Sequence, residues 1–122
     1  MYLCIDPSEL RQVTFIADMN GTLHPLTYLG RSQDISVSLD TFLRDIEKSP
    51  RDIEGIAVIV GKGSFTGTRL SVVVANTFAY AYGIPVVGVS HDERSEWVPR
   101  ISEEKPVSRY LLPTYSAPPS IR

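Results

Sequence analysis

The fold of this chain is decided by the stretch IAVIVGKGSFTGTR, residues 56–69. Its first five residues are apolar and largely β-branched, which predicts a buried strand. The apolar run of residues 70–82 predicts a helix, and the following Gly83-Ile84-Pro85 predicts its glycine stop. A second short apolar run at residues 86–89 predicts another buried strand. The stretch therefore predicts a βαβ unit with two parallel strands and a right-handed crossover.

The loop between the first of these strands and the helix is rich in glycine. Gly61, Gly63 and Gly67 supply the backbone freedom that a sharp turn from strand to helix requires. Free amides at a helix N-terminus can also hold an anion, so Gly61, Lys62, Gly63 and Ser64 are weak candidates for phosphate binding. Their spacing matches neither G-x-G-x-x-G nor G-x-x-x-x-G-K-[ST]. The pattern therefore favours a structural tight turn over a phosphate cradle.

The composition indicates one globular domain. The 122 residues are 43% hydrophobic and 21% charged, which suffices for a sizeable core. A formal net charge of −2 gives no basic footprint, and this disfavours direct binding of nucleic acid or of an anionic membrane. The sequence shows no leader pattern and no run long enough to span a bilayer, so we expect a cytoplasmic protein. Cys4 is the one cysteine and lies in an apolar run, which predicts a buried, reduced thiol.

The residues before the βαβ unit predict an antiparallel meander. Residues 1–5 and 13–17 predict two strands, and Asn20-Gly21 is a strong signal for a hairpin turn. Residues 23–29 predict a third strand, in which Pro25 is tolerable only at a sheet edge or an irregularity.

From Asp34 onwards the hydrophobic period becomes that of a helix. Ile35, Leu39, Phe42 and Ile46 recur at helical spacing, and Asp34 or Ser36 can cap the start. The order is then β-β-β-α-β-α-β. We predict an α/β fold over residues 1–91, a single ribonuclease-H-like lobe with a mixed sheet and helices on its faces.

Beyond Val89 the character of the sequence changes, and the charged residues 91–96 predict the start of a turn or short helix. Five of the nine prolines lie between Pro99 and Arg122, with no sustained period. This predicts a proline-rich tail over residues 92–122 that is extended and either packs on the lobe or is disordered. The apolar side chains of Tyr110, Leu111 and Leu112 favour packing.

The second predicted helix is apolar on nearly all sides. One stripe is expected to face the sheet: Leu70, Val74, Phe78 and Ala81. The other side is also largely apolar: Val72, Val73, Ala79 and Tyr80, among Arg69, Asn76 and Thr77. A helix of this kind is buried on more than one side. We expect another chain to cover the second side, and the alternative is that the proline-rich tail covers it.

The polar residues of the chain do not form a recognisable catalytic or metal-binding pattern. His24 and His91 have no Cys or His partner at ligand spacing, so we predict no metal site. Asp6 fits a strand-end carboxylate that caps the Ser8 region better than a metal or nucleotide ligand. Ser64 lacks the G-x-S-x-G pattern of a nucleophile and fits a helix cap.

Two further residues of the loop are expected to make specific contacts. Arg69 lies in the first helical turn, where the helix dipole disfavours a cation, so it should have a partner of its own. That partner is a carboxylate such as Asp6 or Asp34, or a group on another chain. Phe65 is expected to be a buried anchor under the loop.

The glycine-rich stretch and its surroundings closely resemble the TsaB (YeaZ) family, whose members take part in threonylcarbamoyladenosine modification of tRNA. The resemblance rests on G-x-G-S-F-T-G-x-R at residues 61–69 and on G-I-P-x-V-G-V-S at residues 83–90. It covers about residues 1–91. The motif residues carried over are Gly61, Gly63, Ser64, Phe65, Thr66, Gly67 and Arg69.

The resemblance implies a member of the actin-like ATPase superfamily that has lost catalysis and needs no cofactor. Family proteins serve as a scaffold for the catalytic subunit TsaD, and TsaE joins that complex. When the chain is alone, we expect it to form a homodimer. Pairing through the two helices predicts these partner-interface residues: Ile35, Leu39, Phe42, Arg69, Val72, Val73, Asn76 and Tyr80.

The sequence departs from the family pattern in several places. Only the tail stands where relatives have a second lobe, so the resemblance implies a short form without most of that lobe and without a cleft between lobes. Lys62 replaces a usual proline, and Pro7 brings no amide proton to the turn that holds phosphates in active relatives. A second hypothesis remains a small nucleotide- or phosphate-binding module, or an ATPase-like enzyme, that uses the Gly61–Arg69 loop.

Overall fold

Five strands form one mixed sheet in the computed structural model, which describes residues 1–29, 35–63 and 65–103. The strands are β1 (Tyr2–Asp6), β2 (Gln12–Met19), β3 (Thr22–Leu29), β4 (Gly55–Val60) and β5 (Val86–Ser90). Their order across the sheet is β3-β2-β1-β4-β5. β1 pairs antiparallel with β2 and β2 with β3, whereas β1, β4 and β5 are parallel neighbours. The predicted meander and the parallel βαβ unit are both confirmed.

Three α-helices accompany the sheet: α1 (Ile35–Asp45), α2 (Phe65–Tyr82) and α3 (Trp97–Ser102). Short 3₁₀ helices occupy Pro50–Asp52 and His91–Glu96. The predicted glycine stop of α2 is confirmed: Gly83 has a φ of +63°, and the Ile84 amide donates to the Ala79 carbonyl at 3.3 Å. The backbone thus turns directly out of α2 towards β5.

The hairpin between β2 and β3 has the turn that the sequence predicts. Met19 pairs with Thr22, and Asn20 and Gly21 between them have φ values of 55° and 88°. Two consecutive positive φ angles define a type I′ turn, which matches the twist of antiparallel strands. Pro25 lies in β3, the outermost strand of the sheet on that side, where a missing amide proton is tolerated.

One face of the sheet is covered by α1 and α2. Phe15 of β2, Tyr28 of β3 and Phe42 of α1 form an aromatic cluster there, with the Phe15 and Phe42 ring centroids 5.4 Å apart. The larger core around this cluster includes the inward side chains of four strands and both helices: Leu3, Ile5, Val13, Ile35, Leu39, Ile56, Val58, Val72, Ala75 and Val86.

Four of the residues predicted to line a partner interface belong instead to this core. Ile35, Leu39, Phe42 and Val72 are at most 2% exposed, so the prediction is wrong for them. The physical reason is that the chain's own sheet already takes up the apolar side of α1 and the inner side of α2. Ala81, expected to face the sheet, is exposed.

The opposite face of the sheet is covered by α3. Trp97 and Ile101 lie four residues apart on α3 and form a second core with Cys4, Ala57, Ile59 and Val89. The packing is close, because a Cβ added at Gly55 would lie 2.9 Å from Cγ1 of Ile101. The prediction of a buried Cys4 thiol is confirmed: Cys4 is fully buried, and this burial, with the nearby charge of Asp6, raises its pKa well above the usual value.

The predicted turn or short helix at residues 91–96 is confirmed as a 3₁₀ helix, and packing on the lobe, one of the alternatives predicted for the tail, holds for α3. The prediction of an extended chain is wrong for residues 97–102. Residues 91–102 form helices, and α3 packs on the sheet as part of the lobe. Pro99 is the third residue of α3, in the first turn, where an amide has no intrahelical acceptor to lose. The remainder of the predicted tail, residues 104–122, lies outside the described residues, as do Asp34 and the capping role expected of it.

A hydrogen bond ties β3 to the end of α1. The Tyr28 hydroxyl donates to Oδ2 of Asp45 at 2.7 Å. Partial burial of the phenol, and then the hydrogen bond and negative charge of Asp45, raise the pKa of Tyr28 to about 12. Tyr28 therefore keeps its proton in the folded chain at pH values where an unfolded tyrosine has lost it.

Replacing Phe42 by Ala should lower the free energy of unfolding by about 3–5 kcal/mol, because the vacated space lies in a fully buried aromatic cluster. Val37→Ala on the same helix is the control, because Val37 is 67% exposed. Its effect should stay within about 0.5 kcal/mol. Urea unfolding followed by circular dichroism measures both variants. Equal losses would contradict the placement of the core.

The stability of the protein should fall as the pH rises from about 10 to about 12, because the unfolded state releases the Tyr28 proton first. Below pH about 10 the contribution is fully present, and above the folded pKa it is lost. In Tyr28→Phe this part of the fall should disappear. Unfolding curves across this pH range, compared between wild type and variant, test the prediction. Parallel curves with a constant offset would contradict it.

Candidate functional site

The glycine-rich loop after β4 packs against the turn after β1. A Cβ added at Gly63 would lie 2.7 Å from the Pro7 carbonyl oxygen and 3.1 Å from the Ser8 Cα. Gly63 also has a φ of +112°, a conformation that other residues rarely adopt. Both facts require glycine at this position. The loop is therefore held by backbone contact with its neighbouring turn.

The turn after β1 is organised by the carboxylate of Asp6. Its Oδ1 accepts hydrogen bonds from the Ser8 amide at 3.0 Å and from the Ser8 hydroxyl at 2.5 Å. This confirms the prediction that Asp6 caps the Ser8 region. Within the residues that the structure describes, no three His, Cys, Asp or Glu side chains converge on a common point.

Lys62 projects from the glycine-rich loop beside Glu9, an acidic residue that follows β1. Its Nζ lies 3.4 Å from Oε2 of Glu9, and both side chains are at least half exposed. An exposed pair of this kind contributes little to stability. The Glu9 carboxylate and the Pro7 carbonyl nevertheless place negative atoms beside the loop, which disfavours an anion there. Ser64 and the side chain of Phe65 lie outside the described residues, so their predicted roles stay predictions.

The inner side of α2 carries small residues that its apolar pattern does not predict in the core. Thr68 and Ser71 are fully buried and share this side with Val72 and Ala75. Within the described residues, their hydroxyl oxygens have no hydrogen-bond partner. The sequence does contain a signal for this side of α2, because residues 68, 71, 72 and 75 are spaced 3, 1 and 3 apart. All four are small enough for a helix that lies close to a sheet.

The remaining four predicted interface residues lie on one side of α2. Arg69, Val73, Asn76 and Tyr80 are spaced 4, 3 and 4 residues apart, which places them along a single stripe, the outer stripe of α2. Val73 is 52% exposed and Tyr80 is 78% exposed. Val73, Asn76 and Tyr80, with Thr77, line a shallow depression of about 340 Å³.

The outer stripe is poor in charge. After Arg69, α2 has no Asp, Glu, Lys or Arg up to its end at Tyr82. The exposed side of α1 differs, because Asp40 and Arg44 form an ion pair there at 2.8 Å. A solvent-facing helix surface with exposed Val and Tyr side chains and few charges is typical of a protein–protein contact.

Comparison with solved structures defines the class of protein. The chain superposes on YeaZ from Pseudomonas aeruginosa with a TM-score of 0.64 and 23% identity, over 73% of this chain and 44% of that one. A second structure, of an uncharacterised protein from the same organism with similarity to the peptidase YeaZ, gives a TM-score of 0.63 and 23% identity, over 74% and 44%. The fold is thus an actin-like, ribonuclease-H-like lobe.

Sequence comparison adds the family. Residues 8–114 match the TsaD family model, described as tRNA N6-adenosine threonylcarbamoyltransferase, and the chain belongs to this family. It is TsaB-like within it: it is 34% identical over 83 residues to the tRNA threonylcarbamoyladenosine biosynthesis protein TsaB of Bacillus subtilis, over 66% of this chain and 34% of that protein. The predicted resemblance is confirmed.

Two transferases named tRNA N6-adenosine threonylcarbamoyltransferase are also similar. The protein of Geotalea daltonii is 33% identical over 67% of this chain and 24% of its own length. The protein of Paracoccus denitrificans is 26% identical over 83% of this chain and 28% of its own length. The chain therefore spans about a third or less of these curated relatives. Across its described ranges, no helix combines the length and apolar character needed to cross a membrane.

Gly63→Ala should destabilise the protein markedly more than Gly61→Ala. Both positions have positive φ, so each substitution costs at least about 1–2 kcal/mol of backbone strain. Only the Cβ at Gly63 would collide with the Pro7 backbone, because no atom of the described part of the chain lies within 4 Å of a Cβ at Gly61. The midpoint of urea unfolding measures the difference. Equal midpoints would show that the two turns are not in contact.

Proposed function

We propose that this chain is a non-catalytic scaffold subunit that binds a TsaD-type enzyme in the biosynthesis of tRNA threonylcarbamoyladenosine. The observation that carries the proposal is the outer stripe of α2, which exposes Val73 and Tyr80 and lacks charge beyond its first residue. The stripe contacts the catalytic subunit, and TsaE joins the assembly. The chain itself neither binds tRNA nor enters a membrane, and it acts in the cytoplasm.

The similarity to both sides of such a pair supports the proposal. The chain resembles a TsaB protein and two threonylcarbamoyltransferases over comparable shares of its length. Proteins of one fold can pair through equivalent helices, because the same patch on each meets its counterpart about a two-fold axis. The outer stripe on α2 has the exposure that such pairing requires.

The turns beside α2 support a non-catalytic role. Asp6 directs Oδ1 to the amide and hydroxyl of Ser8, and Pro7 has no amide proton with which to hold a phosphate. The Pro7 backbone closely approaches Gly63, which is space that a phosphate beside the loop amides would need. The loop therefore serves as a rigid entry that sets the direction of α2.

The same stripe accounts for self-association in the absence of a partner. A homodimer through Val73 and Tyr80 uses the surface that the TsaD-type subunit would contact. The two associations are then mutually exclusive. Adding the catalytic subunit should convert homodimer to heterodimer, which light scattering can follow.

Val73→Asp should weaken association with the cognate TsaD-type subunit by at least about tenfold, because it places an unpaired charge in the centre of the contact. Val37→Asp is the matched control: it introduces the same charge at a comparably exposed valine on α1. Both variants should unfold at temperatures close to that of wild type. Co-purification and titration of the binding equilibrium measure the effect.

The cellular counterpart is complementation of cells depleted of their own TsaB, scored by threonylcarbamoyladenosine in tRNA. Wild type and Val37→Asp should restore the modification, and Val73→Asp should not. A chain that neither binds the enzyme nor restores modification would overturn the proposed function. Equal binding by both variants would show that the contact does not lie on the outer stripe of α2.

A further inference from the structure

A second apolar surface lies on the other side of the sheet, beside α3. α3 covers β1, β4 and β5 on this side. The same side of the β2–β3 hairpin carries four residues of β3, namely Leu23, Pro25, Thr27 and Leu29, paired in register with Asp18, Ile16, Thr14 and Gln12 of β2. We call the β3 residues, with Ile16, the bare side of the hairpin.

The bare side is exposed among the described residues. Leu23 is 51% exposed and Leu29 is 82% exposed, and Pro25 between them is also exposed. Ile16 is partly buried because it packs against the α3 core, next to its partner Cys4 on β1. The apolar surface of the hairpin is thus continuous with the core that holds Trp97 and Ile101.

The chain leaves α3 on this same side of the sheet. α3 ends at Ser102, and residues 104–122 follow the last described position, Glu103. These 19 residues can reach roughly 60 Å when extended, at about 3.3 Å per residue. β3 is three strands away from β4, or about 15 Å at the usual spacing. The outer stripe of α2 lies on the opposite face, which the segment can reach only around a sheet edge.

The composition of residues 104–122 suits an apolar surface. Between Lys105 and Arg122 the segment holds one charged residue, Arg109. Its apolar side chains include Val107, Tyr110, Leu111, Leu112 and Ile121. The prolines at 106, 113, 118 and 119 reduce the conformational entropy that the segment loses when it is held against the lobe.

We propose that residues 104–122 pack across the bare side of the β2–β3 hairpin and complete the cover that α3 begins. The segment extends the α3 core from Ile16 to Leu29. The outer stripe of α2 then remains open to another protein. The proposal does not depend on that partner, because the two surfaces lie on opposite faces of the sheet.

Limited trypsin digestion of the full chain tests the proposal. Lys105 precedes a proline and resists trypsin, so cleavage after Arg109 reports on the segment. In Leu23→Asp/Leu29→Asp the cut should be at least about fivefold faster than in wild type, because the segment loses its apolar contact surface. Val37→Asp on α1, on the opposite face and outside the proposed contact, is the matched control and should leave the rate unchanged. Mass spectrometry of early time points gives the rates.

A second double variant, with its substitutions in the segment and not in the hairpin, controls for a general loss of folding in Leu23→Asp/Leu29→Asp. Leu111→Asp/Leu112→Asp changes only the segment, and it should lower the hydrogen-exchange protection of residues 14–27 while leaving that of β4 intact. Cleavage after Arg109 at the same rate in wild type and Leu23→Asp/Leu29→Asp would overturn the proposal. So would acceleration by Val73→Asp, which would place the segment on α2. A dimer that is lost only in Leu23→Asp/Leu29→Asp, with an unchanged Arg109 rate, would show that a second copy covers the hairpin.

Discussion

The parallel pairing of β1 with β4 is the contact on which the rest of the structure depends. Tyr2 lies beside Gly55 and Ile5 beside Val58, so the two strands end at the same edge of the sheet. The turn after Asp6 and the loop after Val60 are thereby forced together, and Gly63 meets the Pro7 backbone. All six residues of β4 are buried, because α2 covers one face and α3 the other. The direction of α2, and with it the outer stripe, follows from this register.

The sequence carried enough information for the sheet and for the two long helices. The β-branched run of β4, the Asn20-Gly21 turn and the helical spacing of Ile35, Leu39 and Phe42 each matched the structure closely. These signals are local, since each arises from backbone preference or from one apolar side of a single element. The family motif identified the class, and the contact between the two turns explains one of its glycines, Gly63.

The phase of α2 was harder to predict. A helix that is apolar on nearly every side gives no clear periodicity, so the pattern predicts Ala81 inside and Val72 outside, the reverse of what the structure shows. Thr68 and Ser71 look polar in sequence but are buried as small residues. The sequence does not predict α3, because proline usually breaks a helix. Pro99 nevertheless lies in the first turn of α3, where it breaks no hydrogen bond. Whether an apolar residue packs in the chain's own core or faces a partner depends on the whole fold. No local sequence pattern contains that information.

Cys4 gives the lobe a consequence for its chemistry in solution. The chain has one thiol, on the central strand β1, with no exposed surface and a pKa raised by burial. Only the thiolate reacts readily with alkylating reagents, so the folded chain is protected twice, by exclusion of the reagent and by retention of the proton. Modification of Cys4 must therefore pass through molecules in which β1 has opened. The rate of Cys4 modification in the wild-type chain therefore reports how often its central strand opens. A partner that covers either face of the sheet would lower this rate.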